Sequence, residues 1–336
     1  MINTVLIQLD PEKNNDAVLD NAANLLRQGK LVVFPTETVY GIGANALDAA
    51  AVERIFRAKG RPAYNPVIVH IGNRTDVSRV VSDWPASAQI LADKFWPGPL
   101  TLVLPKHSEI PAVVTAGGPT VAVRMPAHPI ALRLIQLAGV PLAAPSANRF
   151  GELSPTTAQH ALAGMNGRVD LILDAGPTQV GLESTVLNLA STPPELLRPG
   201  HITPAQIEAE IGPIIRREIS ISPVEQPLPS PGMLARHYAP RTLTECVKNG
   251  QERVSELLKM GLRIGWVTYR RIDQSSSAAL QVRKMPTDPA SYAARLYATL
   301  HELDQLELDR IVIDLPPDED DWLAVRDRLV RASVHD

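Results

Sequence analysis

Lys59, Arg61, Asn65 and His70 are crowded into one short stretch, AKGRPAYNPVIVHI, at positions 58–71. Two cations two positions apart can bracket one phosphate group, the guanidinium as a planar fork of donors and the ammonium as a point charge. Pro62 and Pro66 stiffen the loop and lower the entropy lost when it orders around a ligand. His70 alternates with Val69 and Ile71, so its ring faces away from theirs. Taken alone, the stretch reads equally well as two solvated cations beside a satisfied strand histidine.

Five other stretches have the same character. PTETVYGIGANA (35–46) brings the hydroxyls of Thr36, Thr38 and Tyr40, with Gly41 and Gly43 expected to let the backbone approach a ligand. It lacks a Walker lysine, so as a nucleotide motif it is weak, and an ordinary strand-to-helix turn would look the same. AAPSANRFGELSPTT (143–157) offers room at Ala144 and short polar groups at Ser146, Asn148 and Ser154. TVAVRMP (120–126) and ELLRPG (195–200) each end an apolar run with an arginine, Arg124 and Arg198. GLESTVLNL (181–189) opens a strand with Glu183, Ser184 and Thr185. Polar groups thus recur at strand ends, the pattern of one shared cleft that binds an anion, with nucleotide or phosphate chemistry the leading reading.

These groups must be positioned by a sheet with helices packed on it. Strands are expected at 4–10, LVVFP, PVIVHI (66–71), LTLVLP, TVAVRMP, VPLAAP, RVDLILDAG, STVLNLA and ELLRPG. Helices are expected at DAVLDNAANLLRQG with Asp16 as N-cap and Gly29 as C-cap, at 48–60 between Asp48 and Gly60, near 86–95, at HPIALRLIQLAG, near 156–165 and at 204–211. A proline-rich stretch follows, and beyond it helices at 251–260, 289–304 and 321–331 alternate with strands LRIGWVTY and RIVIDLP, separated by a disordered-looking QSSSAA. The expected units are 1–215, a linker at 216–242 and a smaller α/β unit at 243–336.

The bulk numbers narrow the class. The chain has 336 residues, room for two domains. A net charge of −3 gives no global pull toward nucleic acid, so an anion site must be a local cluster. One cysteine, Cys246, excludes an internal disulfide framework and a cysteine zinc site. No apolar run is long enough to cross a bilayer and no secretory signal stands at the start, so a cytoplasmic location without membrane contact is expected.

In order and in detail, these stretches resemble the threonylcarbamoyl-AMP synthase family with its YrdC-type domain. The family hallmark, Lys-x-Arg followed far downstream by Ser-x-Asn, corresponds to KGR (Lys59, Arg61) and SAN (Ser146, Asn148). FPTETVYGIGANA, NPVIVHI, WPGPLTLVL, VAVRMP, APSAN, ESTVL and RPG match as well, and the HYAP linker resembles the longer, two-domain branch. The resemblance implies an N-terminal twisted mixed sheet with helices around a basic cavity, plus a smaller C-terminal Rossmann-like α/β domain. It implies condensation of L-threonine, bicarbonate and ATP, with Mg2+, to threonylcarbamoyl-AMP and pyrophosphate. A downstream threonylcarbamoyl transferase would then modify tRNA, and direct RNA binding is also implied. Position by position, Thr38, His70, Arg124, Ala144 and Ser184 would line the threonine pocket. Arg61, Asn65, Thr120, Ser146, Ser154, Arg198 and Tyr238 would hold ATP, and Lys59 and Asn148 complete the catalytic set with Arg61 and Ser146. The linker, with Tyr238, would close over the site as a lid.

Two rivals are weighed beside this. A non-catalytic RNA-binding module is disfavoured by the net acidic chain and by the lack of interleaved aromatic and basic residues. An enzyme using carbamoyl phosphate would be expected to carry further zinc-finger or acylphosphatase-like segments, and none is visible.

Overall fold

Asp48 fixes the start of the helix that carries the Lys-x-Arg loop. Its carboxylate accepts from the backbone N–H groups of Ala50 and Ala51, at 2.9 and 3.2 Å. At the other end Gly60 takes φ +64°, and the N–H of Arg61 returns to the carbonyl of Phe56. The loop therefore leaves the helix at a fixed angle toward the sheet.

The structure is a computed structural model that describes residues 2–10, 13–216, 237–272 and 274–333. Among these, the first unit runs β1 (Val5–Gln8), α1 (Asp16–Arg27), β2 (Val32–Phe34), β3 (Gly41–Asn45), α2 (Ala49–Lys59), β4 (Val69–His70), α3 (Ala86–Phe95), β5 (Leu100–Pro105) and β6 (Thr120–Arg124). It continues with α4 (Pro129–Ala138), β7 (Leu142–Ala143), α5 (Ala158–Met165), β8 (Leu171–Asp174), β9 (Thr185–Asn188), β10 (Glu195–Arg198), α6 (Pro204–Ile211) and β11 (Ile215–Arg216). The second unit holds β12 (Thr244–Val247), α7 (Gly250–Lys259), β13 (Ile264–Thr268), β14 (Leu280–Lys284), α8 (Pro289–Asp304), β15 (Arg310–Asp314) and α9 (Leu323–Ala332).

The larger sheet has the order β1-β8-β2-β3-β7-β4-β6-β5-β9-β10-β11 and mixes parallel and antiparallel pairs. The smaller, β12-β15-β13-β14, is parallel throughout, as a Rossmann-like layer should be. The larger sheet ends at Arg216 and the smaller begins at Thr244. Most of the expected lid, residues 217–236, lies outside the described residues.

Several local expectations are corrected. Asp16 is the first helical residue, not the N-cap, and its carboxylate is taken by Arg133. The strands expected at 66–71 and across VPLAAP shrink to two residues each, Val69–His70 and Leu142–Ala143, with prolines at 66, 141 and 145 that cannot donate to a ladder. GIGAN, read as part of a turn, is the strand β3. Gly43 has no side chain there because a Cβ would stand 2.7 Å from the Phe34 ring, so its space serves the core and not a ligand. β12 and β14 were not foreseen: both are four- or five-residue parallel strands with mixed polar sequences, TECV and LQVRK.

The two units share a core. Val39, Leu153, Leu182 and Tyr238 pack in one apolar cluster with Tyr292, Leu296, Tyr297, Trp322 and Leu329 of α8, α9 and the turn between β15 and α9. The approach is close enough to demand glycine at 181. A Cβ there would stand 2.6 Å from the Ala294 Cα, and the residue also has φ +75°. His160 of α5 stacks on His301 of α8 with ring centroids 3.9 Å apart, and the His301 Nε2 contacts the Ser154 carbonyl at 3.1 Å.

Candidate active site

β4 and β6 run parallel, with His70 in register with Arg124, so both side chains arrive at one end of the sheet. The β2–β3 loop comes to the same place. There Thr36 folds the loop on itself, donating to the Val39 carbonyl at 2.6 Å and contacting the Thr38 hydroxyl at 2.8 Å. Thr38 in turn accepts from Arg124 Nη1 at 3.0 Å. Arg124 Nε reaches the Gly98 carbonyl, and Nη2 pairs with the Glu37 carboxylate at 2.6 Å, both side chains buried. His70 is buried, and burial reinforced by Arg124 pushes its pKa down to about 3, which keeps the ring neutral.

The second half of the cleft comes from β9 and β10. Arg198 donates through Nε and Nη2 to the Ser184 carbonyl, and through Nη2 to the Ser184 hydroxyl. That hydroxyl also contacts Thr101 at 2.7 Å. Arg61 is held by a side chain and two carbonyls: Nε donates to the Asn65 carbonyl, and Nη2 to the Asn65 Oδ1 and the Pro66 carbonyl. Its Nη1 has no partner among the described residues, so one arm of the fork is available at the cleft wall. Arg61, Arg124 and Arg198 thus line one hollow together with His70, Ala144 and Ser146. Thr38, Ser184 and Tyr238 line it as well.

The hollow is narrow. Its cavity volume is about 50 Å³. An ordinary ligand pocket offers at least roughly 300 Å³, so side chains must shift to admit a nucleotide.

Lys59 and Asn148 do something other than expected. Lys59 does not line the hollow. Its ammonium donates to the Ser146 carbonyl, to the Asn148 carbonyl at 2.6 Å and to the Asn148 Oδ1 at 3.3 Å. Asn148 Nδ2 donates to the carbonyls of Arg149 and Glu152. The two residues therefore staple the Ser-x-Asn loop and do not bracket a phosphate. Burial, then the nearby Arg61, holds the Lys59 pKa well below the usual lysine value. Asn65 likewise stands behind Arg61 and orients it, with its Nδ2 unpartnered among the described residues.

Two predicted nucleotide ligands do not line the hollow. Thr120 opens β6 four residues before Arg124, about 13 Å back along the strand, paired with Pro105. Ser154 is fully buried and donates to Glu183 Oε1 at 2.5 Å, outside the lining. Glu183 and His237 line the hollow and Glu37 pairs with Arg124 beside it, and none of these was assigned from sequence. Glu37 and Glu183 each sit beside an assigned residue, Thr38 and Ser184, and that adjacency was the available signal.

His237 and Tyr238 close one side of the hollow. The Tyr238 ring is almost wholly buried, and the residue takes φ +59°, a left-handed backbone that a tyrosine adopts only under constraint. Ala239 supplies the constraint: its N–H donates to the Gly151 carbonyl, and it bridges Glu152. The Tyr238 hydroxyl is buried without a hydrogen-bond partner among the described residues.

Comparison with known proteins agrees with this geometry. Residues 24–200 match the family model Sua5_yciO_yrdC, described as "Telomere recombination". Residues 202–334 match the model described as "Threonylcarbamoyl-AMP synthase, C-terminal domain". Threonylcarbamoyl-AMP synthases of Pyrococcus abyssi and Bacillus subtilis are each 43% identical to the chain. The alignments cover 93% of both chains for the first, and 96% of this chain and 95% of the relative for the second. The crystal structure of P. abyssi Sua5 complexed with L-threonine superimposes with a TM-score of 0.89 at 41% identity, over 98% of this chain and 97% of that one.

Proposed function

The chain belongs to the threonylcarbamoyl-AMP synthase family, and we propose on that premise how its cleft joins L-threonine, bicarbonate and ATP into threonylcarbamoyl-AMP, releasing pyrophosphate and water. The threonine amine attacks bicarbonate or the carbon dioxide in equilibrium with it, giving a carbamate. A carbamate oxygen then attacks the α-phosphorus of ATP, and pyrophosphate leaves. No covalent bond to the protein is needed, so the residues act by placing reactants, neutralising charge and excluding water.

Arg124 takes the threonine carboxylate as a fork, with Thr38 and the neutral His70 beside it. Ala144 leaves space for the small side chain, and Ser184 bonds its hydroxyl. Arg61 and Arg198 meet the phosphates, helped by Ser146, and Tyr238 covers the nucleotide. Lys59, Asn148 and Asn65 are positioning residues: they hold the Ser146 loop and aim Arg61. Mg2+ arrives as part of the ATP substrate and offsets phosphate charge. The acids at the cleft, Glu37 and Glu183, are already paired with arginines.

The observation that carries this reading is the convergence of Arg61, Arg124 and Arg198, from three separate strands or loops, on one hollow. The product, an activated carbamoyl adenylate, would pass to a transferase that modifies tRNA, and direct RNA contact is a further part of the proposal. No helix among the described residues is long and apolar enough to cross a membrane. The test is pyrophosphate release from ATP and bicarbonate with each amino acid in turn. Threonine-selective release that is lost in Arg61→Ala and Arg124→Ala supports the reading; release indifferent to the amino acid overturns it.

A further inference from the structure

Glu183 is out of place in a hollow built for a polyanion. It lines the cleft beside Ser184, within the field of Arg198, and a bare carboxylate there would repel phosphate or capture the arginine that should bind it. Its charge is instead matched from the second unit. Arg328 of α9, with a wholly buried side chain, donates from Nε to Glu183 Oε2 at 2.8 Å. Tyr297 of α8 donates its hydroxyl to the same carboxylate at 3.1 Å, and Ser154 completes the shell.

Arg328 reaches the rest of the wall as well. Its guanidinium carbon stands 5.0 Å from the centroid of the Tyr238 ring, the geometry of a cation–π contact. Its Nη2 donates to the carbonyl of Pro199, next to Arg198. On the far side, Nη1 pairs with Asp327 at 2.6 Å, and Asp327 pairs with Arg331 at 3.0 Å. Glu183, Arg328, Asp327 and Arg331 form an alternating buried row whose four charges cancel.

We propose that Arg328 is a positioning residue of the nucleotide site: by matching the buried charge of Glu183, α9 keeps an uncompensated carboxylate off the wall that faces ATP and makes the second unit part of the cleft. This rests on the reading of the hollow as an ATP site. Breaking a buried pair strands the remaining charge, and a lone Glu183 carboxylate on the wall repels the phosphates. Replacing both partners removes the conflict.

The test is a double-mutant cycle on the full chain, read by calorimetric ATP binding with Arg328→Met, Glu183→Gln and the pair combined. In the unaltered background R328M weakens ATP about tenfold or more, while threonine affinity moves less than about threefold. In the E183Q background the same change at 328 shifts ATP less than about threefold. A folded R328M with unaltered ATP affinity overturns the proposal, as does an equal loss in both backgrounds. If R328M alone does not fold, the combined variant against E183Q decides: a loss under about threefold supports the proposal, and a tenfold loss overturns it. Because the readout is binding, failure of the functional reading is seen separately, as absent threonine-dependent pyrophosphate release from the unaltered protein.

Discussion

Lys59 Nζ lies 2.6 Å from the carbonyl oxygen of Asn148, 89 residues further along the chain. The two halves of the Lys-x-Arg…Ser-x-Asn signature are thus one structural object, a loop held from behind by a buried ammonium. Lys59→Met should therefore lower stability as well as activity. The three acceptors it leaves lose charge-assisted hydrogen bonds, a loss of about 2–3 kcal/mol, so the urea midpoint should fall together with kcat/KM. A residue that only neutralised phosphate would raise the ATP KM and leave the midpoint in place.

Arg124→Gln should act on the amino acid and not on the nucleotide. A charge-assisted fork to a carboxylate is worth about 1.5–3 kcal/mol, which corresponds to a threonine KM higher by about ten- to a hundredfold. ATP affinity in a direct binding assay should stay within about threefold. Equal losses for both substrates would refute the assignment of Arg124.

Tyr238 combines a buried hydroxyl, unpartnered among the described residues, with a ring held under Arg328. Tyr238→Phe should weaken ATP by a few-fold, the scale of one hydrogen bond. Tyr238→Ala should weaken it further and slow turnover, because the wall itself is gone. Unchanged turnover and affinity in the alanine variant would remove Tyr238 from the site.

Stability should fall on acidification through the histidine range. Burial first, then His301, pushes the His160 pKa down to about 4, and burial lowers that of His301 too. Between about pH 6.5 and about pH 4 the unfolded chain binds protons at these rings that the folded protein does not, so unfolding becomes easier as pH drops. His160→Asn should flatten that part of the urea-midpoint profile. An identical slope in the variant would show that the stacked pair does not contribute.

Gly181→Ala should loosen the contact between the units. The added methyl meets the α8 backbone, and φ +75° strains any other residue, together about 2–4 kcal/mol. Thermal unfolding should begin at a lower temperature, with earlier tryptic cleavage in the second unit.

Much of this was legible because it is local. Asp48 and Gly60 bound α2 by capping chemistry alone, and strand-end arginines announced a shared mouth before any strand order was known. Sequence spacing does not reveal which polar groups look inward. Thr120 and Ser154 carry the right chemistry, yet one sits a strand's length away and the other is committed to Glu183. Lys59 looked like a phosphate ligand because a lysine's reach is the same whether it points forward or back. β12 and β14 were hidden because half-exposed parallel strands show no clean alternation, and the Glu183–Arg328 pair spans 145 residues with no local signal at either end.

The core that Tyr238 and Leu182 share with α8 and α9 bears on how the molecule comes into being on the ribosome. The first unit emerges early and can fold its sheet, but its cleft has a missing side until residues 323–332 are released. A nascent or prematurely terminated chain would thus carry the signature residues without the side of the cleft that α9 completes.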